Sequence, residues 1–268
     1  MESKVSPVDN KASRSELLID PITSDGTRHY RNRIYGEYVS AFKGQPLPDL
    51  LRPLAQKHAR YFDHLFKPIL DVAKPEEILE VGCGSGHFLY WAVERGFKSV
   101  SGFDLSREQV EAARVLGLPA EVASFQDYLR GRCEAFDLIV ALDIIEHLTR
   151  DEVFNLLDLC HLALRPGGYF FLTTPNGAAL RPGPVMYGDL THETFFSPQT
   201  VSLALRLTGY ESIQVREISP PPTSLRSRAR RVLWQALRLW PMLIDAIETG
   251  TCSGQVYSRV MSIQARRP

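Results

Sequence analysis

The chain has 268 residues, 44% of them hydrophobic and 23% charged, enough to bury a full core as one elaborated domain or two small ones. Thirty-one Lys and Arg balance thirty-one Asp and Glu, so no global field draws the molecule to DNA, RNA or an anionic membrane, and any such partner must be held by a local patch. Cysteines 83, 133, 160 and 252 lie far apart without a C-x-x-C pair, which argues against a zinc knuckle or disulfide framework and fits a reducing cytoplasm; no apolar run approaches the roughly 18 residues of a spanning helix.

The stretch to about Pro48 mixes Ser, Asp, Gly, Arg and Tyr without a period and reads as a flexible N-terminal segment. Its Tyr30, Tyr35 and Tyr38 are candidates for a lid or for core packing. From Asp49 to Ala73, Leu50, Leu51, Leu54, Tyr61, Phe62, Leu65, Phe66, Ile69 and Leu70 recur at helical spacing, predicting one or two helices that cap the domain over residues 49–75. Pro75 ends that pattern. Short apolar runs then follow at Glu77 to Val81, Val100 to Asp104, Ala120 to Ala123, Phe136 to Leu142 and Tyr169 to Thr174. Between them lie helical patterns at Phe88 to Arg95, Arg107 to Leu116 and Asp151 to Leu164, the last closed by the stop signal Arg165-Pro166-Gly167-Gly168. Two more strands are predicted, Ser212 to Ile218 and Val256 to Gln264, the second alternating as an edge or antiparallel strand does. Residues 76–268 thus predict an α/β domain, a doubly wound, mostly parallel sheet.

Between the last two strands sits an insertion, 219–254, opening with Pro220-Pro221-Pro222. Leu225, Ala229, Val232, Leu233, Ala236, Trp240, Leu243 and Ile247 keep helical spacing there, Arg226, Arg228, Arg230, Arg231 and Arg238 fill much of the rest, and Pro241 marks an interruption. Three readings stand for this basic amphipathic segment: a helix packed on the sheet edge or on a partner subunit in a homodimer, a peripheral membrane contact through 225–247 with Trp234 and Trp240, or a grip on a phosphorylated acceptor.

The chemistry concentrates in Ile78-Leu79-Glu80-Val81-Gly82-Cys83-Gly84-Ser85-Gly86, a buried strand running through a glycine-rich turn into a helix. Glycines are needed where a ligand approaches the backbone, and the following helix offers unpaired N–H groups. Asp104 closes the next strand where a carboxylate accepts ribose hydroxyls. His87 stands where a dinucleotide fingerprint wants glycine, which argues against a nicotinamide enzyme.

This arrangement resembles the class I S-adenosylmethionine-dependent methyltransferases over roughly Glu77 to Ile218. The resemblance implies a seven-stranded Rossmann-like sheet with its last strand antiparallel. It implies that Glu80 supports the turn and approaches the cofactor's cationic end, that Gly82, Gly84 and Gly86 admit the methionine moiety, that Asp104 holds the ribose, and that Ser124 and Phe125 contact the adenine. Asp143 ends the fourth strand at the same edge.

Downstream, Asp143-Ile144-Ile145-Glu146-His147, Thr173-Thr174-Pro175-Asn176 and Thr191-His192-Glu193-Thr194-Phe195-Phe196-Ser197-Pro198 all fall at the ligand edge of such a sheet. Together they resemble a branch holding the O-methyltransferases of ubiquinone biosynthesis, the enzymes that methylate small-RNA 3′ ends, and many bacterial enzymes acting on saccharides and secondary metabolites. In the first two groups the matching residues resemble a divalent-metal site, here Asp143, Glu146, His147 and His192, with Asp143 shorter than the Glu those groups carry. Mixed oxygen and nitrogen donors suit Mg, Mn or Zn alike. An alcohol must lose its proton for methyl transfer, by a metal that lowers its pKa or directly to His147 or His192, with Glu146 beside them. The expected function is therefore transfer of a methyl group from S-adenosyl-L-methionine to a hydroxyl of a small molecule or saccharide. An RNA 2′-hydroxyl is the runner-up acceptor, disfavoured by the neutral charge balance, and an inactive cofactor-binding scaffold is the alternative from another class. His58, His64 and His161 are read as surface or packing residues, and Cys83 as a small turn residue without a base.

Overall fold

The computed structural model describes residues 48–219, 224–250 and 256–268. The N-terminal segment with Tyr30, Tyr35 and Tyr38, the run Pro220-Pro221-Pro222 and Cys252 lie outside them. Seven strands form one sheet: β1 (Glu77–Val81), β2 (Ser99–Asp104), β3 (Ala120–Val122), β4 (Phe136–Leu142), β5 (Leu164–Pro175), β6 (Glu211–Glu217) and β7 (Val260–Arg266). Their order is β3-β2-β1-β4-β5-β7-β6, with β7 antiparallel to both neighbours. This is the doubly wound, mostly parallel sheet with an antiparallel last strand that the resemblance implies.

The helices are α1 (Pro48–Ala73), α2 (His87–Glu94), α3 (Arg107–Val115), α4 (Phe125–Leu129), α5 (Arg150–Ala163), the short α6 (Gly183–Met186), α7 (Pro198–Leu207), α8 (Leu225–Leu237) and α9 (Leu239–Thr249). Two apolar clusters sandwich the sheet. One joins α4, α5 and α7 to Ile139, Phe170 and Ile263; the other joins α1, α2 and α3 to Leu138, Val140 and Phe171. β4 is a near-continuous apolar run because, as an inner parallel strand, it is covered on both faces. α5 starts at a capping box in which Thr149 and Glu152 satisfy each other's backbone N–H groups. Among the described residues, no helix is long and apolar enough to cross a membrane, and Cys83, Cys133 and Cys160 are unpaired.

Of the one or two helices expected over residues 49–75, α1 is one, with Pro53 and Pro68 inside it, and it packs on the core: Phe62 and Phe66 interleave with Phe88 and Trp91, and none of its described residues lines the main cavity. Three expectations need correction. The segment Arg165-Pro166-Gly167-Gly168 lies inside β5. Leu164 already pairs with Phe136 before a register shift, and Gly167 at φ 82° takes the irregularity. β7 begins at Val260 rather than Val256, because the backbone of 256–258 binds side chains instead: Asn176 Nδ2 donates to the carbonyls of Val256 (2.7 Å) and Ser258 (3.0 Å), and Tyr257 N–H donates to Glu217 (2.8 Å). The insertion does form helices, but the break falls at Arg238, and Pro241 sits in the first turn of α9, where proline is tolerated.

Candidate active site

The strand order reverses between β1 and β4, and there the carboxyl ends of β1, β2, β4 and β5 open a crevice. Gly82 follows β1 at φ 68°, a left-handed conformation that favours glycine, and a Cβ on it would sit 2.1 Å from Ile144 Cδ1, so that side chain would have to move. Gly84 donates its N–H to Asp104 Oδ2 (2.9 Å), while Ser106 N–H reaches Oδ1 (2.7 Å), fixing the carboxylate at the end of β2. Gly86 serves packing: a Cβ there would meet Leu118 Cδ1 at 2.5 Å, on α3's side of the turn. Glu80 lies buried beneath the turn and accepts the Leu89 N–H of α2; burial, then the neighbouring Asp104, pushes its carboxyl well above the usual range. Burial also raises the Cys83 thiol, which leaves it inert.

Beyond β4 the chain turns sharply. Asp143 adopts a left-handed conformation (φ 54°), held by Thr173: its N–H reaches the Thr173 carbonyl and hydroxyl oxygens, both at 3.1 Å, and its Oδ1 accepts the Thr173 hydroxyl at 2.8 Å. A 3-10 turn, Ile145–His147, then presents Glu146 and His147. The loop after β5 returns to them, since Glu193 and Thr194 N–H groups donate to the Glu146 carbonyl (2.8 and 3.1 Å). That brings in His192, whose ring centroid lies 4.8 Å from that of His147.

The proton positions follow from the partners. Thr191 donates its hydroxyl proton to Asp189 Oδ1 (2.6 Å), so the 2.7 Å contact between Thr191 Oγ1 and His147 Nδ1 requires the proton on Nδ1. His192 Nδ1 lies 2.9 Å from the Met186 carbonyl, which only accepts, so that ring is also protonated at Nδ1. In its neutral form each imidazole therefore carries its lone pair on Nε2. Glu146 is almost fully buried; Oε2 accepts the Thr174 hydroxyl (3.0 Å) and Oε1 has no hydrogen-bond partner. Burial, then Asp143, pushes its carboxyl well up.

One cavity of about 570 Å³ spans both halves, lined at one end by Gly82, Gly84, Asp104 and Phe125 and at the other by Asp143, Glu146, His147 and His192. Of the expected residues, Glu80, Gly86 and Ser124 do not line it. Ser124 caps α4, its hydroxyl oxygen accepting Asp127 N–H (3.0 Å), and of the two residues expected after β3 Phe125 alone lines the cavity. Glu146, His147 and His192 offer ligand atoms within 4.8 Å of one another; Asp143, expected with them, lines the same cavity outside that group, with Oδ1 accepting the Thr173 hydroxyl. Gln109, Asp189 and Thr191 were not singled out by sequence reasoning. Gln109 and Asp189 line the cavity, and Asp-Leu-Thr-His at 189–192 was the local signal for the relay to His147.

This fold and site define a methyltransferase. The family model for the methyltransferase domain matches residues 49–215, more than half of the chain, and the chain belongs to that family. Among curated proteins it is 31% identical over 170 residues to the ubiquinone biosynthesis O-methyltransferase of Xylella fastidiosa (strain 9a5c), covering 57% of this chain and 67% of that one. It is 32% identical over 153 residues to the mitochondrial ubiquinone biosynthesis O-methyltransferase of Rattus norvegicus, covering 50% of this chain and 44% of the relative. The chain spans less than half the length of the rat, mouse and human relatives it matches. In fold it is similar to a SAM-dependent methyltransferase from Archaeoglobus fulgidus (TM-score 0.59, 18% identity, 87% of this chain and 99% of that one).

Proposed function

We propose that the chain is an S-adenosylmethionine-dependent O-methyltransferase acting on a hydroxyl of a small molecule or saccharide, in a reducing compartment such as the cytoplasm. The observation that carries this reading is the single cavity joining a glycine turn and ribose-type carboxylate to a cluster of two histidines and a buried glutamate. The curated relatives support oxygen as the methylated atom.

Bound S-adenosylmethionine supplies a methyl group on a cationic sulfur, so the protein must position the acceptor and expose its oxygen lone pair. Asp104 is already oriented by Gly84 and Ser106 to accept ribose hydroxyls, and Phe125 offers a face to the adenine. Gly82 and Gly84 leave the backbone bare for the amino-acid end, and the Asp104 carboxylate lines the cavity beside them. At the other end, the Asp189–Thr191 pair holds the His147 proton on Nδ1 and the Met186 carbonyl holds that of His192, so that Nε2 of either ring can take a proton from the acceptor hydroxyl.

The same residues fit a divalent cation. Each imidazole has its Nδ1–H tied to an oxygen, the arrangement that orients histidine ligands, and Glu146 holds a buried oxygen without a partner. Glu146, His147 and His192 would hold it, and a cation there lowers the pKa of a hydroxyl.

The test is calorimetric titration with S-adenosylhomocysteine, together with transfer of labelled methyl to phenolic and saccharide acceptors. We expect micromolar binding, no binding of NADH, and a His192→Ala variant that keeps this affinity while losing about a hundred- to ten-thousand-fold in rate. Retained activity in that variant removes the assignment of His192. Binding without transfer to any acceptor favours the scaffold reading. Metal content of the purified protein, wild type against Glu146→Gln, separates cation-assisted from direct deprotonation.

A further inference from the structure

The hairpin α8–α9 is amphipathic with its polar side inward. α8 contains no buried residue, and in α9 only Pro241 is buried. The inward positions are Ser227, Arg231, Trp234 and Arg238, each half-buried. Their anchor is Glu217 at the end of β6, which accepts Trp234 Nε1 (3.4 Å), pairs with Arg238 (3.2 Å) and accepts Tyr257 N–H (2.8 Å). The Tyr257 hydroxyl in turn donates to Asp245 of α9.

The apolar side faces out. Nine large apolar side chains are exposed between positions 225 and 247, from Leu225 at 83% to Trp240 at 68% and Ile247 at 78%. At about 100° per residue, Leu225, Ala229, Val232, Leu233 and Ala236 form one outward stripe on α8, with Arg226 and Arg230 along one border and Arg228 along the other. All three of these arginines are exposed, and α8 contains no acidic residue.

We propose that this hairpin lies flat in an anionic lipid surface, its apolar stripe among the acyl chains and its arginines among the phosphates. Apolar exposure alone would fit several partners; the charge pattern selects. A second copy packed two-fold on this face would bring the same arginines together with no acidic residue of α8 and only Glu248 of α9 exposed to meet them. A nucleic acid would satisfy the arginines and leave the nine apolar side chains wet. A bilayer interface with anionic headgroups satisfies both, and helices of 13 and 11 residues suit lying in the interface rather than crossing it.

The placement gives this contact a use. The two chain segments that carry the hairpin join the sheet at its ligand edge: Glu217 pairs with Met261, Val260 pairs with Pro175, and Val260 lines the cavity. A membrane under α8–α9 therefore lies at the same edge of the sheet as the cavity.

The test uses the full chain in vesicle flotation, with phosphatidylcholine vesicles against the same lipid containing about a third phosphatidylglycerol. Binding is expected only to the anionic vesicles, falling with added salt. Replacing Arg226, Arg228 and Arg230 with Gln should weaken it about a hundredfold, taking about 1 kcal/mol for each arginine. Leu233→Glu with Ile247→Glu should abolish it at unchanged thermal midpoint, and the vesicle-induced blue shift of tryptophan emission should vanish in Trp240→Phe. If the double Glu variant unfolds, Ile247→Ser alone carries the test. Equal binding to neutral vesicles, no binding, or insensitivity to these substitutions overturns the proposal. So does a dimer in sedimentation velocity that the Glu substitutions dissolve, or single-stranded RNA bound in place of vesicles.

Discussion

Helix α1 and the α8–α9 hairpin carry the same kind of sequence pattern, apolar residues at helical spacing with charges between, and they end in opposite surroundings. In α1 the stripe of Ala55, Phe62, Leu65, Phe66 and Ile69 is buried against α2 and the sheet. In the hairpin the stripe faces out and the polar side is bonded to Glu217. Periodicity names a face; what covers that face depends on which side finds partners when the chain closes. α1 brings aromatic rings to a helix that answers with Phe88 and Trp91, whereas the hairpin meets a carboxylate.

The comparison breaks most visibly at Phe66, which is fully buried with Phe171, Phe88 and Trp91 centroids at 4.6, 4.8 and 5.3 Å. Phe66→Ala should cost about 3–5 kcal/mol in urea unfolding. Next is the hairpin's own anchor. Glu217→Ala removes the shared acceptor for Trp234, Arg238 and Tyr257 and should cost about 1–3 kcal/mol. Cleavage by trypsin within α8 should accelerate while S-adenosylhomocysteine binding holds.

Asp63 clamps α1 to α2 through Trp91 Nε1 (2.9 Å) and Arg95. Burial opposes its ionisation, but the hydrogen bonds from Arg95 and Trp91 and the Arg95 charge prevail and hold its carboxyl below the usual range. Its stabilisation is therefore present above the unfolded-state value of about 3.9 and lost as pH falls through the lower folded value. Asp63→Asn should lower stability by under about 1 kcal/mol near neutrality, because the Asp63–Arg95 pair is partly open to solvent and Asn keeps an oxygen to accept from Trp91. Unfolding curves of variant and wild type should converge in acid. Smallest of all, Ile247→Ser, at a 78% exposed position, should change stability by no more than about 0.5 kcal/mol; a larger loss would mean that this face is covered within the chain.

The same contrast explains what the sequence disclosed. The strands, the glycine turn and Asp104 were legible because their signals are local: an apolar run, a break at Gly82, a carboxylate at a strand end. The histidine cluster was legible through motif resemblance, but its membership was not. Asp143 was expected among the ligands, and in the structure it lines the cavity outside the group of three, bonded to Thr173 thirty residues on. Ser124 beside β3 read as a cofactor contact because a serine that caps a helix and one that meets a ligand look alike in sequence. Thr191 and Asp189 acquire their role only through a side-chain contact across 44 residues. The direction of the hairpin's apolar face could not be read at all, since no residue within it names Glu217.

The strand order also bears on how the molecule is made. β7 lies between β5 and β6 but follows both in the chain, separated from β6 by the hairpin. On the ribosome, β6 therefore leaves the exit tunnel with no strand to pair with, and the sticky side of α8–α9 emerges before the edge beside β5 is closed. Residues 260–266 complete both ladders at once. Until they arrive, the nascent chain presents a bare sheet edge beside a greasy helix, the combination that chaperones bind and that aggregation exploits.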